Sequence, residues 1–233
     1  MRLCGSEVHC PEGIPSMAGY IIYSLDGPRF TALVERPTPA QLAILAQGLA
    51  DEREELGDEF DEGDPVAEWP EDAAELVRVV AARLALPDWY GDLSQVGRQL
   101  WETVFYVTCM RSEELDIGFR VENDGVYWDV ISLIVQRLGD RPEMPGKSAM
   151  SRFGTVPFRY HPPVKQRSAD WTPMHSMHPP DEVHRMLAEL RSSASAVEAA
   201  EDQDVREQFT DELLPAVERV ATEGRLLFIQ VDT

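Results

Sequence analysis

The run Trp171-Thr-Pro-Met-His-Ser-Met-His178 gathers the residue types in this chain best suited to chemistry, and His184 follows it closely. His175 and His178 stand three apart, with Met174 and Met177 interleaved. Imidazole combined with thioether suits soft or borderline metals such as copper. A neutral imidazole is also suited to serve as a general base. His175, His178 and His184 are therefore the candidate metal ligands, and Trp171 is a candidate contact for a ligand or partner. Against a metal site, no acidic or thiol ligand lies in sequence beside the histidines, the nearest carboxylate being Asp181. The bland alternative is a proline-bounded loop packed by Met and Trp.

A second cluster is Glu122-Asn-Asp-Gly-Val-Tyr-Trp128. Asp124 and Asp129 with Tyr127 could line a polar, aromatic pocket for a small ligand. Asn123 or Asp124 would equally serve as a helix cap, since Asn and Asp lead the preferences at that position. A third is acidic: residues 51–72 hold 12 carboxylates and one base, Arg53. Asp58 and Asp61 lie at its centre and are candidate partner contacts. The stretch Asp58-Glu-Phe-Asp-Glu-Gly63 does not make a calcium loop. Phe60 falls where an oxygen ligand belongs, and the twelfth position is Trp69 instead of a bidentate Glu.

Several familiar chemistries find no support. Cys4, Cys10 and His9 lack the four ligands and paired spacing of a zinc site. There is no G-x-S-x-G elbow, Walker loop or G-x-G-x-x-G. No cofactor is expected, and no reaction is assigned. The 233 residues carry a formal charge of -21, which repels phosphate backbones and anionic lipid. The expected partner is thus a basic protein, with no nucleic acid and no membrane. Three cysteines cannot build a disulfide framework, and Cys109 reads as a buried thiol. Without a signal peptide or an apolar run of roughly 20 residues, the chain reads as cytoplasmic.

The elements that must position these residues read as α+β: mostly helical, with a small sheet containing an N-terminal and a C-terminal strand. Leu226-Leu-Phe-Ile-Gln-Val231 is a near-unbroken apolar run, and Tyr20–Leu25 is its only counterpart. Such runs mark strands buried on both faces. After the turn residues Asp26-Gly27-Pro28, a short helix is expected over Arg29–Glu35. Thr38, Pro39 and Gln41 announce a helix through a capping box, with Leu42, Leu45, Ala46 and Leu49 as its stripe. Further helices follow from Ala73, Leu76, Val77, Val80 and Leu84, and from Leu93, Val96, Leu100, Val104 and Val107. Asp116 to Val121 reads as a short strand. A helix is expected from about Gly125 to Leu138 in preference to a hairpin through Val126–Trp128, and Gly139 would cap it.

Residues 140–180 lose periodicity and read as a long Pro/Met/His-rich loop, with Phe153–Tyr160 as an edge strand. Val183, Met186, Leu187, Leu190, Ala194 and Val197 stripe a helix. Another ends at Gly224, and Pro215 should kink it or mark a second start. The expected organisation is an irregular arm over 1–16 and one α+β domain over 17–233.

The opening Gly19-Tyr20-Ile21-Ile22-Tyr23, Pro180-Asp-Glu-Val183, and Leu214-Pro-Ala-Val through Glu223-Gly224 into an apolar strand together resemble the uncharacterised bacterial YfbM-like domain family. The resemblance covers roughly the first 30 and last 50 residues and implies an α+β fold. It brings no catalytic residues. Function is accordingly expected to be that of a binding or interaction module whose acidic face, 51–72, meets a basic partner. The alternative is a small metal binder or enzyme using residues 161–184.

Overall fold

The two apolar runs find each other. In the computed structural model β1 (Gly19–Leu25) pairs antiparallel with β5 (Leu226–Asp232), in register from Gly19 opposite Asp232 to Leu25 opposite Leu226. The structure describes residues 19–56, 69–85, 104, 107–121, 126–140, 147–154 and 175–232. The sheet order is β2 (Gly118–Arg120), β1, β5, β4 (His175–His178), and β3 (Val126–Tyr127) pairs with the start of β1. All these pairings are antiparallel.

Each face of the sheet carries its own core. Tyr20, Ile22, Leu227 and Ile229 pack with α4 (Trp128–Arg137), α5 (Pro180–Glu198), α6 (Gln203–Glu207) and α7 (Leu214–Glu223). Tyr23, Leu25, Leu226 and Phe228 pack with α1 (Gly27–Glu35), α2 (Pro39–Leu56) and α3 (Ala73–Leu84). With helices on both sides, successive side chains of β1 and β5 are buried alternately above and below. That double coverage explains the continuous apolar runs. The fold is α+β, as the sequence implies.

Local chemistry sets the boundaries. Asp26 caps α1 by accepting from the Arg29 amide at 3.0 Å. Thr38 and Gln41 exchange the two bonds of a capping box at 2.9 and 3.2 Å. Asp72 caps α3 through the Glu75 amide at 2.8 Å. Gly224, at φ 64, ends α7 in the left-handed conformation that side chains disfavour. Gly118 is required by close approach: a Cβ there would lie 2.3 Å from the Ser24 carbonyl oxygen.

Two expectations are corrected. The helix α4 starts at Trp128, because Val126 and Tyr127 hydrogen-bond to β1 first; Tyr127 is its cap residue and gives no side-chain bond. The region 140–180 is not loop throughout. It contains a 3-10 turn, Met150–Arg152, and the edge strand β4. Phe153 and Gly154 form a turn, and the remainder of the strand expected to Tyr160 lies outside the described residues. Pro215 does mark a second start: α7 opens at Leu214, and a π turn, Gln208–Leu213, joins α6 to it. Proline has no N–H to give the preceding helical turn, and the wider turn accommodates that loss. The helix expected around Leu93–Val107 is described only at Val104 and from 107 to 110, which are helical. The arm over 1–16 also lies outside the described residues. Among the described residues no helix is long and apolar enough to cross a membrane.

Candidate functional site

β4 is where the histidine run meets the fold. Its register sets Ser176 opposite Ile229 and His178 opposite Leu227, while Met177 stands opposite Phe228. Strand alternation therefore sends Ser176 and His178 to one face and Met177 to the other core. Pro179 and Pro180 stop the strand, and Pro180 opens α5. Glu182 falls in the first turn of that helix, four residues after His178, where the helix dipole favours a carboxylate.

These side chains form a continuous polar chain inside the protein. Ser176 Oγ lies 2.9 Å from His178 Nε2. His178 Nδ1 lies 3.6 Å from Glu182 Oε2, an ion-pair distance longer than a direct hydrogen bond. Glu182 Oε1 accepts from Arg152 Nη1 at 2.9 Å. The Gly154 amide donates to Ser176 Oγ at 2.9 Å. Ser176, His178 and Glu182 are 0%, 1% and 2% exposed.

Burial by itself pushes the Glu182 carboxyl up. The neighbouring His178 imidazole, then the hydrogen bond and charge of Arg152, outweigh it and hold the carboxyl at about 2 instead of 4.5. Neutral His178 carrying its proton on Nδ1 lets Ser176 donate to Nε2. The imidazolium form instead makes Ser176 accept twice, from Nε2–H and from the Gly154 amide. The form that His178 takes thus decides whether Ser176 donates or accepts.

Serine, histidine and glutamate in this order match the sequence of a nucleophile, its base and an orienting acid. Their burial argues for a different role. Attack by Ser176 Oγ needs an acyl carbon roughly 3 Å away, yet the hydroxyl is closed from solvent and occupied by Gly154 N–H and His178 Nε2. The chain of polar groups instead ties β4, the start of α5 and the turn at 150–154 together.

The other candidates are placed as follows. His175 lies on β4 opposite Gln230. His184 is exposed on α5, its Nδ1 2.6 Å from the Pro180 carbonyl oxygen. Among the described residues no three His, Cys, Asp or Glu side chains are grouped to hold a metal ion. Tyr127 is 42% exposed, and its amide donates to Gln208 Oε1 of the π turn at 3.0 Å. Asp129 is in the first turn of α4. Trp171, Asp124, Asp58 and Asp61 lie outside the described residues.

The ends of the acidic stretch are tied down: Asp51 pairs with Arg111, and Arg53 bonds Glu71 at 3.1 Å and the Trp69 carbonyl at 2.6 Å. A second acidic surface stands in full view. Glu198, Glu201, Asp202, Asp204, Glu207 and Asp211 are exposed along the end of α5, α6 and the π turn. The one base within that stretch, Arg206, turns its guanidinium to the Ala200 carbonyl.

Sequence reasoning singled out His178 but passed over Ser176, Glu182 and Arg152. Reading His-Ser-Met-His as a strand would have put Ser176 and His178 on one face, with Glu182 a turn beyond. Arg152 carried no comparable signal. Comparison with protein-family models, with curated proteins and with solved structures finds no match.

Proposed function

We propose that this chain is an interaction module whose acidic surface binds a basic protein partner. The observation that carries the reading is the exposed ridge Glu198–Asp211, six carboxylates whose one base within the stretch is turned inward to a backbone carbonyl. The net charge of -21 extends that field over the surface and speeds encounter with a cationic partner. Tyr127 adds an exposed aromatic beside the ridge, through its amide bond to Gln208. An aromatic face next to carboxylates suits Lys and Arg side chains. Asp58 and Asp61 belong to the same proposal as further partner contacts.

Kinship with the YfbM-like domain family is part of this reading. What supports it is the pairing of β1 with the α7–Gly224–β5 unit, the two segments that carry the resemblance.

The test is a pull-down from bacterial lysate at low and high salt, with a Glu201→Lys, Glu207→Lys, Asp211→Lys variant alongside. A partner retained at low salt, released as screening rises and lost by the variant supports the proposal. Nothing retained at low salt, or equal retention by the variant, overturns it.

A further inference from the structure

Residues 148–154 cross the first core without joining the sheet, and what holds them is unusual in kind. The Ser148 amide donates to Asp140 Oδ2 at 2.6 Å. The Ala149 and Met150 amides donate to the two oxygens of Glu189, at 2.9 and 2.8 Å. Arg152 Nη1 reaches Glu182 at 2.9 Å, and the Gly154 amide reaches Ser176 Oγ at 2.9 Å. Four of these five fastenings end on a carboxylate, supplied by the end of α4 or by α5. Beneath them Met150 and Phe153 are fully buried, and Phe153 meets the Tyr20 ring edge-on at 5.5 Å.

We propose that residues 148–154 are a strap, fastened by the carboxylates of Asp140, Glu182 and Glu189, that comes free when those groups lose their charge and then uncovers Met150, Phe153 and the Tyr20 ring. Hydrogen bonds to an ionised acceptor are roughly twice as strong as neutral ones. Loss of that charge therefore weakens each of the four carboxylate bonds, while the apolar contacts beneath are unaffected by pH. The strap's own bonds, Ser151 N to Ser148 Oγ and Ser151 Oγ to the Ser148 carbonyl, keep its turn intact as it lifts.

Among the described residues the charged groups around the fasteners are few. Arg152 on the strap and His178 on β4 face Glu182. Lys147 stands beside Asp140, whose carboxyl is held below its ordinary range first by the Ser148 amide. On the α7 side of α5, Glu218 is paired with Arg191 and does not enter the cluster. Asp140 and Glu182 both have depressed values in the folded chain. Their contribution is complete above the ordinary carboxylate range and declines as pH falls through it. This inference does not depend on the acidic ridge having a partner.

Hydrogen–deuterium exchange on the full chain at neutral pH tests it, comparing wild type with Glu182→Gln and Glu189→Gln. The expected result is at least tenfold faster exchange at residues 148–154 with β1 and β5 unchanged, and a rise in fluorescence of an added apolar dye. Unchanged exchange in the strap, or equal acceleration in strap and central strands, overturns the proposal. If Glu182→Gln does not fold, Glu189→Gln, which leaves the buried relay intact, decides by the same readings.

Discussion

Glutamine at position 182 keeps the shape of the side chain and removes its charge, so it isolates what that charge contributes to stability. The folded-state value of about 2 lies below the ordinary 4.5. At 1.36 kcal/mol per decade this gap is worth about 3 kcal/mol. Because the value is depressed, the contribution is present in full above pH 4.5 and is lost as pH falls from there towards 2. Urea unfolding of wild type and Glu182→Gln should therefore differ by about 3 kcal/mol at pH 7, a difference typical of breaking a buried pair. The two curves should converge in acid, where wild-type Glu182 becomes as uncharged as the glutamine. A gap below about 1 kcal/mol at pH 7, or one equally wide at pH 2.5, would refute the reasoning.

Two further outcomes follow from the geometry. Gly118→Ala would drive a Cβ to 2.3 Å from the Ser24 carbonyl oxygen and 2.4 Å from Leu25 Cδ2. Backbone has to give way, so thermal unfolding should show a loss of about 1–3 kcal/mol. Calorimetric titration with zinc or copper should show no stoichiometric uptake, because His178 is enclosed between Ser176 and Glu182 while His184 is exposed on α5. A one-to-one transition metal in the purified protein would restore the histidines as ligands.

Where the sequence was legible, the cause was local or absolute. Leu226–Val231 and Tyr20–Leu25 advertise burial on two faces through composition alone. Thr38 with Gln41, and Gly139 and Gly224 at helix ends, carry their geometry within a few residues. His175–His178 gave no such sign. Histidine, serine and methionine are weak strand formers, and their strand exists because β5 offers an edge, a choice made by tertiary pairing. The same holds for Val126–Tyr127, recruited by β1 ahead of the helix that its spacing suggested. Glu182 illustrates the limit most plainly. As a first-turn acid it should face water, and its burial is accounted for by His178 on the neighbouring strand and by Arg152, 30 positions earlier.

The pairing of β1 with β5 has a consequence for how the molecule comes into being. Tyr23 and Gln230, whose side chains meet across the two strands, are 207 positions apart. Contacts that distant in sequence are slow to form, because the loop they close costs entropy before any pairing rewards it. On the ribosome β1 must wait, with its apolar residues unmatched, until Leu226–Asp232 has been made. Until then both layers of helices lack the strand that gives each of them its floor.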